Sequence, residues 1–542
     1  MVSTDVNSEI ISYLEKGESF ILDAGAGSGK TTTLVEILRY LLETKRSQLM
    51  HNNQKIECIT YTNVAKNEII SRIHEDDLVK VETIHEFLWD CIQPYQSELK
   101  SLFRETLEKR LKGGKIDEEK YNLSKQFIEE NKHPIYYLNV PSSKGGLSHD
   151  QVIDFSKKLF EQSHKIRRLI GDSFPYIFVD EYQDTTPETI QILLDYLLPS
   201  SEVVVGFFGD HMQQIYEKTA GRIPDTYDLH RIQKLENYRS TPQIVDLLNN
   251  IRSDLKQSPQ REGSGCCKFY YQPCNSHDIE HFIETEIRGT FLLQHDEQIK
   301  KLYLTHRKLA QKNGYGNLLE VYDNYTRDRL VKNKENRQCP YTNYFNDLEE
   351  LRELYNTGDI NQFLKKSTYT LGSFQDRDNL VQIMKIFNDE HDHWTIDETI
   401  RFASENNLLS LPDEIPSNYV EATEEDDVIS TLLQIKYLEC VNSCRTMNEQ
   451  SAYSTEHGTK GAEYKNVVLV IEDGEWTMYN FGKYFSGDNK NPNLYNRTWK
   501  LFYVDCSRAR NNLAVVCLSS LGQGAISNIK TMFGEDNYHC KE

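Results

Sequence analysis

The sequence predicts the α/β class, built on parallel sheets in more than one domain, and three observations lead there. Short unalternating apolar runs recur and end in Gly, Asp or polar clusters: Phe20-Ile21-Leu22, Tyr176-Ile177-Phe178-Val179 and Val203 to Val205. Runs of that kind suit strands buried on both faces. The first run leads into a helical pattern with Leu34, Ile37, Leu38 and Leu41 on one face, which gives the alternation of strand and helix that marks the class. The length, 542 residues, exceeds what one hydrophobic core usually serves.

Composition narrows the function classes. With 38% hydrophobic and 27% charged residues, and neither a low-complexity block nor a strict repeat, the chain has the make-up of a soluble globular protein. No apolar run approaches the ~20 residues of a membrane span, and Met1 to Ser8 lacks the order of a signal peptide, so a cytoplasmic protein is expected. The eleven cysteines are scattered. Cys266/Cys267 with Cys274, and Cys440 with Cys444, do not make a zinc frame. His391-Asp392-His393 lacks a matching third ligand and reads as a polar loop. A net charge of −21 excludes a protein that coats nucleic acid by bulk attraction but leaves room for a narrow basic track. Residues 101–170, with 14 Lys+Arg against 10 Asp+Glu, are locally basic. Pro412 to Asp427 is acidic and reads as a linker or exposed loop.

The first apolar run opens onto Ala24-Gly25-Ala26-Gly27-Ser28-Gly29-Lys30-Thr31. Strand, glycine-rich turn and helix is the context of a phosphate-binding loop, whose backbone N–H groups close around phosphate oxygens at a helix N-terminus. Lys30 is expected to reach the β and γ phosphates, and Thr31 to ligate Mg²⁺. The run from Tyr176 ends in Asp180-Glu181-Tyr182-Gln183-Asp184, two carboxylates at a strand's C-terminal edge, where open α/β sheets place ligands. Asp180 suits a Mg²⁺ ligand and Glu181 suits polarising the attacking water. ATP and Mg²⁺ are the cofactors expected.

Further blocks follow in order: Thr60-Tyr61-Thr62-Asn63, Thr83-Ile84-His85-Glu86-Phe87, Phe207-Phe208-Gly209-Asp210-His211-Met212-Gln213-Gln214-Ile215-Tyr216, Leu235-Glu236-Asn237-Tyr238-Arg239-Ser240-Thr241, Thr455-Glu456-His457-Gly458-Thr459-Lys460-Gly461-Ala462-Glu463-Tyr464 and Phe502-Tyr503-Val504-Asp505-Cys506-Ser507-Arg508-Ala509-Arg510. With the loop and the carboxylate pair, the series resembles superfamily 1A helicases, the UvrD/Rep/PcrA group. The resemblance implies two RecA-like parallel-sheet P-loop domains with two mainly helical insertions, and ATP-driven 3′ to 5′ travel along single-stranded DNA. It implies that Gln213 senses the γ-phosphate, Tyr238 stacks on adenine, Arg239 and Arg508 act as arginine fingers, and Glu463 meets the ribose or couples the cleft to the strand. Arginine suits the finger role because it stays charged and presents a planar fork to phosphate. The nucleotide would lie on residues 24–31 with Thr32, Tyr238 and Glu463. Single-stranded DNA would meet Thr60, Tyr61, Asn63, Thr83, His85, Thr455, His457 and Lys460.

The chain departs from that group at three places. The stretch Asn7 to Ile11 has no adenine-reading Gln, Thr32 stands where an Arg commonly sandwiches the base, and Glu217-Lys218-Thr219-Ala220-Gly221 lacks the stacking Trp. The motif map implies a first RecA-like domain over residues 1–90 and 166–240, a second over 241–310 and 446–542, and helical insertions over 91–165 and 311–445. Only 32 residues follow Arg510, too few for a fused nuclease of that group's kind. Short UvrD-like chains resemble the helicase-like partners of OLD-type nucleases in anti-phage systems such as Gabija, which implies tailed or single-stranded DNA and an OLD-type nuclease subunit as partners, in defence or repair. The rival reading is an ATP-gated sensor that hands DNA to that nuclease.

Overall fold

The computed structural model describes residues 5–130, 135–137, 144–215, 219–272, 279–304, 306–325, 340–411, 427–447, 453–455, 462–474 and 477–540. His457, Lys460, Glu217, Lys218, Cys274 and nearly all of the acidic stretch from Pro412 lie outside them. The chain forms two compact units: Met1–Cys267 with Asp488–Asn511 and Thr531–Phe533, and Lys268–Gly487 with Asn512–Lys530 and Gly534–Glu542.

The first unit is organised by six strands: β1 (Phe20–Ala24), β2 (Ile56–Thr60), β3 (Val79–Thr83), β4 (Tyr176–Asp180), β5 (Val204–Gly209) and β6 (His230–Lys234). They lie in the order β3-β2-β4-β5-β1-β6, and every neighbouring pair is parallel. Side chains of a strand alternate between faces, and here both faces are packed. Phe20, Leu22, Cys58, Phe178 and Phe208 join one buried cluster with the helices α1 (Val6–Lys16) and α2 (Lys30–His51). Ile21, Ile59, Ile177, Val179 and Phe207 join the other, with α3 (Ile84–Ile92), α4 (Gln96–Lys112) and α5 (His149–Gln162). This is why the strands read as continuous apolar runs rather than as alternating ones. Capping boxes start α3 (Thr83 with Glu86) and α5 (Ser148 with Gln151), satisfying N–H groups that a helix start leaves without partners.

The second sheet contains β7 (Cys266–Tyr271), β8 (Lys300–Tyr303), β9 (Tyr453–Thr455), β10 (Tyr464–Ile471), β11 (Ala509–Cys517) and β12 (Tyr538–Cys540), in the order β9-β8-β10-β11-β7-β12. Parallel registers join β8 to β9 and β10, and β7 to β12. A separate buried cluster, including Leu318, Tyr344, Phe387, Ile400 and Val441, gathers helices between residues 306 and 447 into a helical body within the second unit. The molecule is thus mixed α/β, with two parallel-strand sheets and helical insertions, as the sequence implies. The stretch 446–542 contributes to both units. Its helix Pro492–Cys506 packs in the first, where the Trp499 indole donates to the Ile251 carbonyl (2.8 Å), while strands β10 to β12 build the second sheet. No helix among the described residues is long and apolar enough to cross a membrane.

Candidate nucleotide site and nucleic-acid face

The glycine-rich turn between β1 and α2 carries Gly27 and Gly29 at φ +76° and +79°, a left-handed conformation that L side chains adopt only at a cost. Helix α2 therefore starts at Lys30 with its first N–H groups uncapped by any side chain, the donor arrangement that suits an anion. Ala24, Ala26 and Ser28 are buried, and the Ser28 hydroxyl has no hydrogen-bond partner among the described residues. The Lys30 ammonium is almost enclosed. It lies 3.5 Å from the Ala24 carbonyl and 3.6 Å from a Glu181 carboxylate oxygen. Thr31 is half-buried, and the exposed Thr32 hydroxyl accepts from Arg72 (3.0 Å).

At the end of β4, Asp180 is buried and Glu181 adopts φ +50°, a left-handed turn in a non-glycine residue. That turn sends Glu181 back toward the loop, where it accepts from Gln183 (2.5 Å) while Lys30 neutralises it. Burial, then the Glu181 charge, push the Asp180 carboxyl up to about 7, and Lys30 acts in the opposite sense. An oxygen donor set of one hydroxyl and one enclosed carboxylate fits a hard divalent cation, whose charge would favour the ionised Asp180. Thr31 and Asp180 are the residues that would hold it.

The arginines gather in the same unit. Arg508 is fully buried at the end of the helix Pro492–Cys506. Its guanidinium donates to the Val504 carbonyl (3.0 Å) and the Ser507 hydroxyl (3.0 Å), and approaches the Gln213 side-chain oxygen at 3.5 Å. Burial, then Arg239, lower its pKa to about 10. Arg239 donates to the Ser507 carbonyl (3.2 Å). Gln213 donates to Asp210 (3.2 Å). Tyr238 is 56% exposed, while its backbone N–H is held by the Gly27 carbonyl (2.9 Å), so its ring has a free surface beside the loop. The structure thus brings Lys30, Glu181, Gln213, Arg239 and Arg508 into one chain of contacts with the glycine turn. Glu463 is an exposed residue of the second unit.

Sequence reasoning assigned no role to several residues of this cluster. Arg252 is buried, donates to both oxygens of Asp210 (3.0 and 2.9 Å) and reaches the Tyr503 oxygen (3.0 Å). Tyr503 donates to Asp210 (3.3 Å) and accepts the Ala26 N–H (3.2 Å). The Arg252 charge holds Asp210 below the usual carboxylate range against the effect of burial. Asp210 and Tyr503 stand inside quoted motif blocks and could have been singled out. Arg252 and Arg72 carry no local signal.

Of the residues expected to meet nucleic acid, Tyr61 and Asn63 are exposed at the end of β2. Thr60 is buried and donates to the Thr62 carbonyl (3.2 Å). The Thr83 hydroxyl is engaged as the cap of α3, and Glu86 of that cap also accepts from Lys66 (2.8 Å). His85 packs edge-to-face on His149 at 4.5 Å, and burial, then His149, lower its pKa to about 4. It is therefore neutral at physiological pH and could serve a phosphate only as an N–H donor. Thr455 lies on β9, where only the backbone is described.

An AAA domain family matches residues 7–219. The chain is 27% identical to the Gabija protein GajB of Bacillus cereus (strain HuB5-5), over 97% of this chain and 96% of that one. It is 25% identical to the ATP-dependent DNA helicase PcrA of Staphylococcus aureus (strain Mu50 / ATCC 700699), over 55% of this chain and 47% of PcrA. With a probable DNA helicase II homolog of Mycoplasma capricolum it shares 23% identity, over 53% of this chain and 46% of that protein. The last two matches span less than half of those relatives, whereas the likeness to GajB runs nearly end to end. Ordered motifs, paired parallel sheets and these likenesses together make the chain similar to UvrD-like helicases and to the Gabija protein GajB.

Proposed function

We propose that the protein hydrolyses ATP with Mg²⁺ and uses the cycle to move 3′ to 5′ along single-stranded DNA, in anti-phage defence or repair, together with an OLD-type nuclease partner. The observation that carries this reading is the placement of Lys30 and Glu181 at the mouth of the glycine turn, with Arg239, Gln213 and buried Arg508 in contact around it. Lys30 and the α2 N-terminus would bind the phosphates, Glu181 would take the proton of the attacking water, and the two guanidinium groups would stabilise charge on the transferring phosphoryl. Mg²⁺ on Thr31 and Asp180 would neutralise phosphate oxygens. Tyr238 would stack on the base, with Glu463 meeting the ribose or coupling the cleft to the strand. Tyr61, Asn63, Thr83 and His85, with Thr60 as backbone support and Thr455, His457 and Lys460 from the other domain, would track the strand. In this reading residues 1–90 and 166–240 form the first RecA-like domain, 241–310 and 446–542 the second, and 91–165 and 311–445 the insertions.

A sensor that gates a nuclease without displacing strands is the second reading. It is favoured by the end-to-end likeness to GajB and by the lack of an aromatic in Glu217-Lys218-Thr219-Ala220-Gly221. ATP hydrolysis with and without single-stranded DNA, and strand displacement from 3′- and 5′-tailed duplexes, test both. The motor predicts DNA-stimulated hydrolysis and displacement from the 3′ tail alone; the sensor predicts hydrolysis without displacement. Glu181→Gln is expected to lower turnover at least ~100-fold, the worth of a general base, and equal turnover of the two proteins removes Glu181 from its role.

A further inference from the structure

Gln257 belongs to no motif, yet it is the side chain against which the phosphate loop is set. It is 5% exposed, and its amide donates to the Ala26 carbonyl (3.1 Å) while its oxygen accepts from Asn237 (3.3 Å). Asn237 donates to the same Ala26 carbonyl (2.9 Å). With its own oxygen, Asn237 holds the N–H groups of Arg239 (3.0 Å) and Ser240 (2.9 Å). Gln257 is itself fixed from helix Pro242–Ile251, where Asn249 accepts from its N–H (2.7 Å) and donates to its carbonyl (2.8 Å). The following residues Ser258–Pro259 pair in parallel with Glu236–Asn237. Thus one pair of buried amides joins the peptide of Ala26 to the segment that presents Tyr238 and Arg239.

Gly25 shows how close the fit is. Its backbone is not in the left-handed region, so conformation alone would admit any residue. A Cβ there would instead stand 2.6–2.9 Å from the carbon, nitrogen and oxygen of the Gln257 amide. An alanine there would push the Gln257 amide away from its partners Ala26 and Asn237.

We propose that Gln257 is a positioning residue of the nucleotide site, holding the phosphate loop and the Arg239 arm in one register so that loop amides and guanidinium meet the same phosphates. This rests on the ATPase reading above. Steady-state ATP hydrolysis and thermal midpoints are compared for wild type, Gln257→Leu, Gln257→Ala, Gly25→Ala and the double variant G25A/Q257A. Gln257→Leu keeps the volume and is expected to raise KM for ATP about fivefold to tenfold, the effect of one net hydrogen bond, with its midpoint within a few degrees of wild type. Gly25→Ala is expected to lose at least as much in kcat/KM. Because both changes disrupt one contact, the double variant should be no worse than Gly25→Ala alone. An unchanged KM in Gln257→Leu, or losses that multiply in the double variant, would overturn the proposal while leaving the ATPase reading intact. A wild-type protein without ATPase activity would overturn that reading, and the proposal with it.

Discussion

Arg508 is held where no water reaches it, with Arg239 as a nearby like charge, and both effects lower its pKa to about 10. The guanidinium stays charged at neutral pH, with Asp505 and Glu181 acting on it as opposite charges, and in the proposed role it would meet phosphate oxygens. Its fork is also the geometry that matches them bidentately. Arg508→Ala is therefore expected to lower kcat for ATP at least ~1,000-fold, as loss of an arginine finger does, with ATP binding by fluorescent-analogue titration changed far less. A kcat within tenfold of wild type would count against the role. Arg508 was legible in the sequence because it sits at a fixed place in an ordered block. Arg252 and Gln257 were not, because an isolated polar residue acquires meaning only from what the fold brings beside it.

The strands of the first sheet show how far pattern reading reaches. Phe20-Ile21-Leu22 and Tyr176-Ile177-Phe178-Val179 announce themselves because both faces of the sheet are packed. Strand β2 carries Glu57 among them, with no exposure and with neither carboxylate oxygen hydrogen-bonded among the described residues. Burial, then the Glu82 charge, push its carboxyl well above the usual range; Asp90 acts in the same sense, and Lys80 and Lys66 oppose it. The folded protein thus favours neutral Glu57, and the unfolded chain ionises it at its ordinary pKa. Stability is lost as pH rises from that ordinary value toward the raised one. Glu57→Met is expected to stabilise the protein by ~1–3 kcal/mol, the cost of a buried polar group without a partner. Thermal midpoints should show a larger gain at pH 8 than at pH 5. A gain that is equal at both pH values would mean that Glu57 is ionised, or solvated, in the fold.

At the scale of the molecule, neither unit is a continuous piece of chain. The helix Pro492–Cys506 buries Leu501, Phe502, Tyr503, Val504 and Cys506 in the first unit, and its end supplies Arg508. Without it the Asp210–Arg252 pair would lose Tyr503, and the Ala26 N–H would lose its acceptor. Residues 1–267 expressed alone are therefore expected to lack a cooperative thermal transition and ATPase activity, although they contain the whole glycine turn and the carboxylates of Asp180 and Glu181. A folded, active fragment would show that the helix Pro492–Cys506 is dispensable. The expectation follows from the area of apolar surface that the helix covers, since hydrophobic burial scales with that area.

The sequence by itself determined the candidate residues for the chemistry. Glycine spacing at 25, 27 and 29, Lys30, the carboxylates at 180 and 181 and the ordered blocks through Arg508 are local patterns, written in neighbouring residues because turns, strand ends and helix starts are local structures. The tertiary structure alone decided what encloses that chemistry: Arg252 on Asp210, Tyr503 on the Ala26 amide, Gln257 against Gly25, and the buried Glu57 in β2. Such contacts join residues up to several hundred positions apart. Their strength comes from exclusion of water, a property of the folded interior that no stretch of sequence carries on its own.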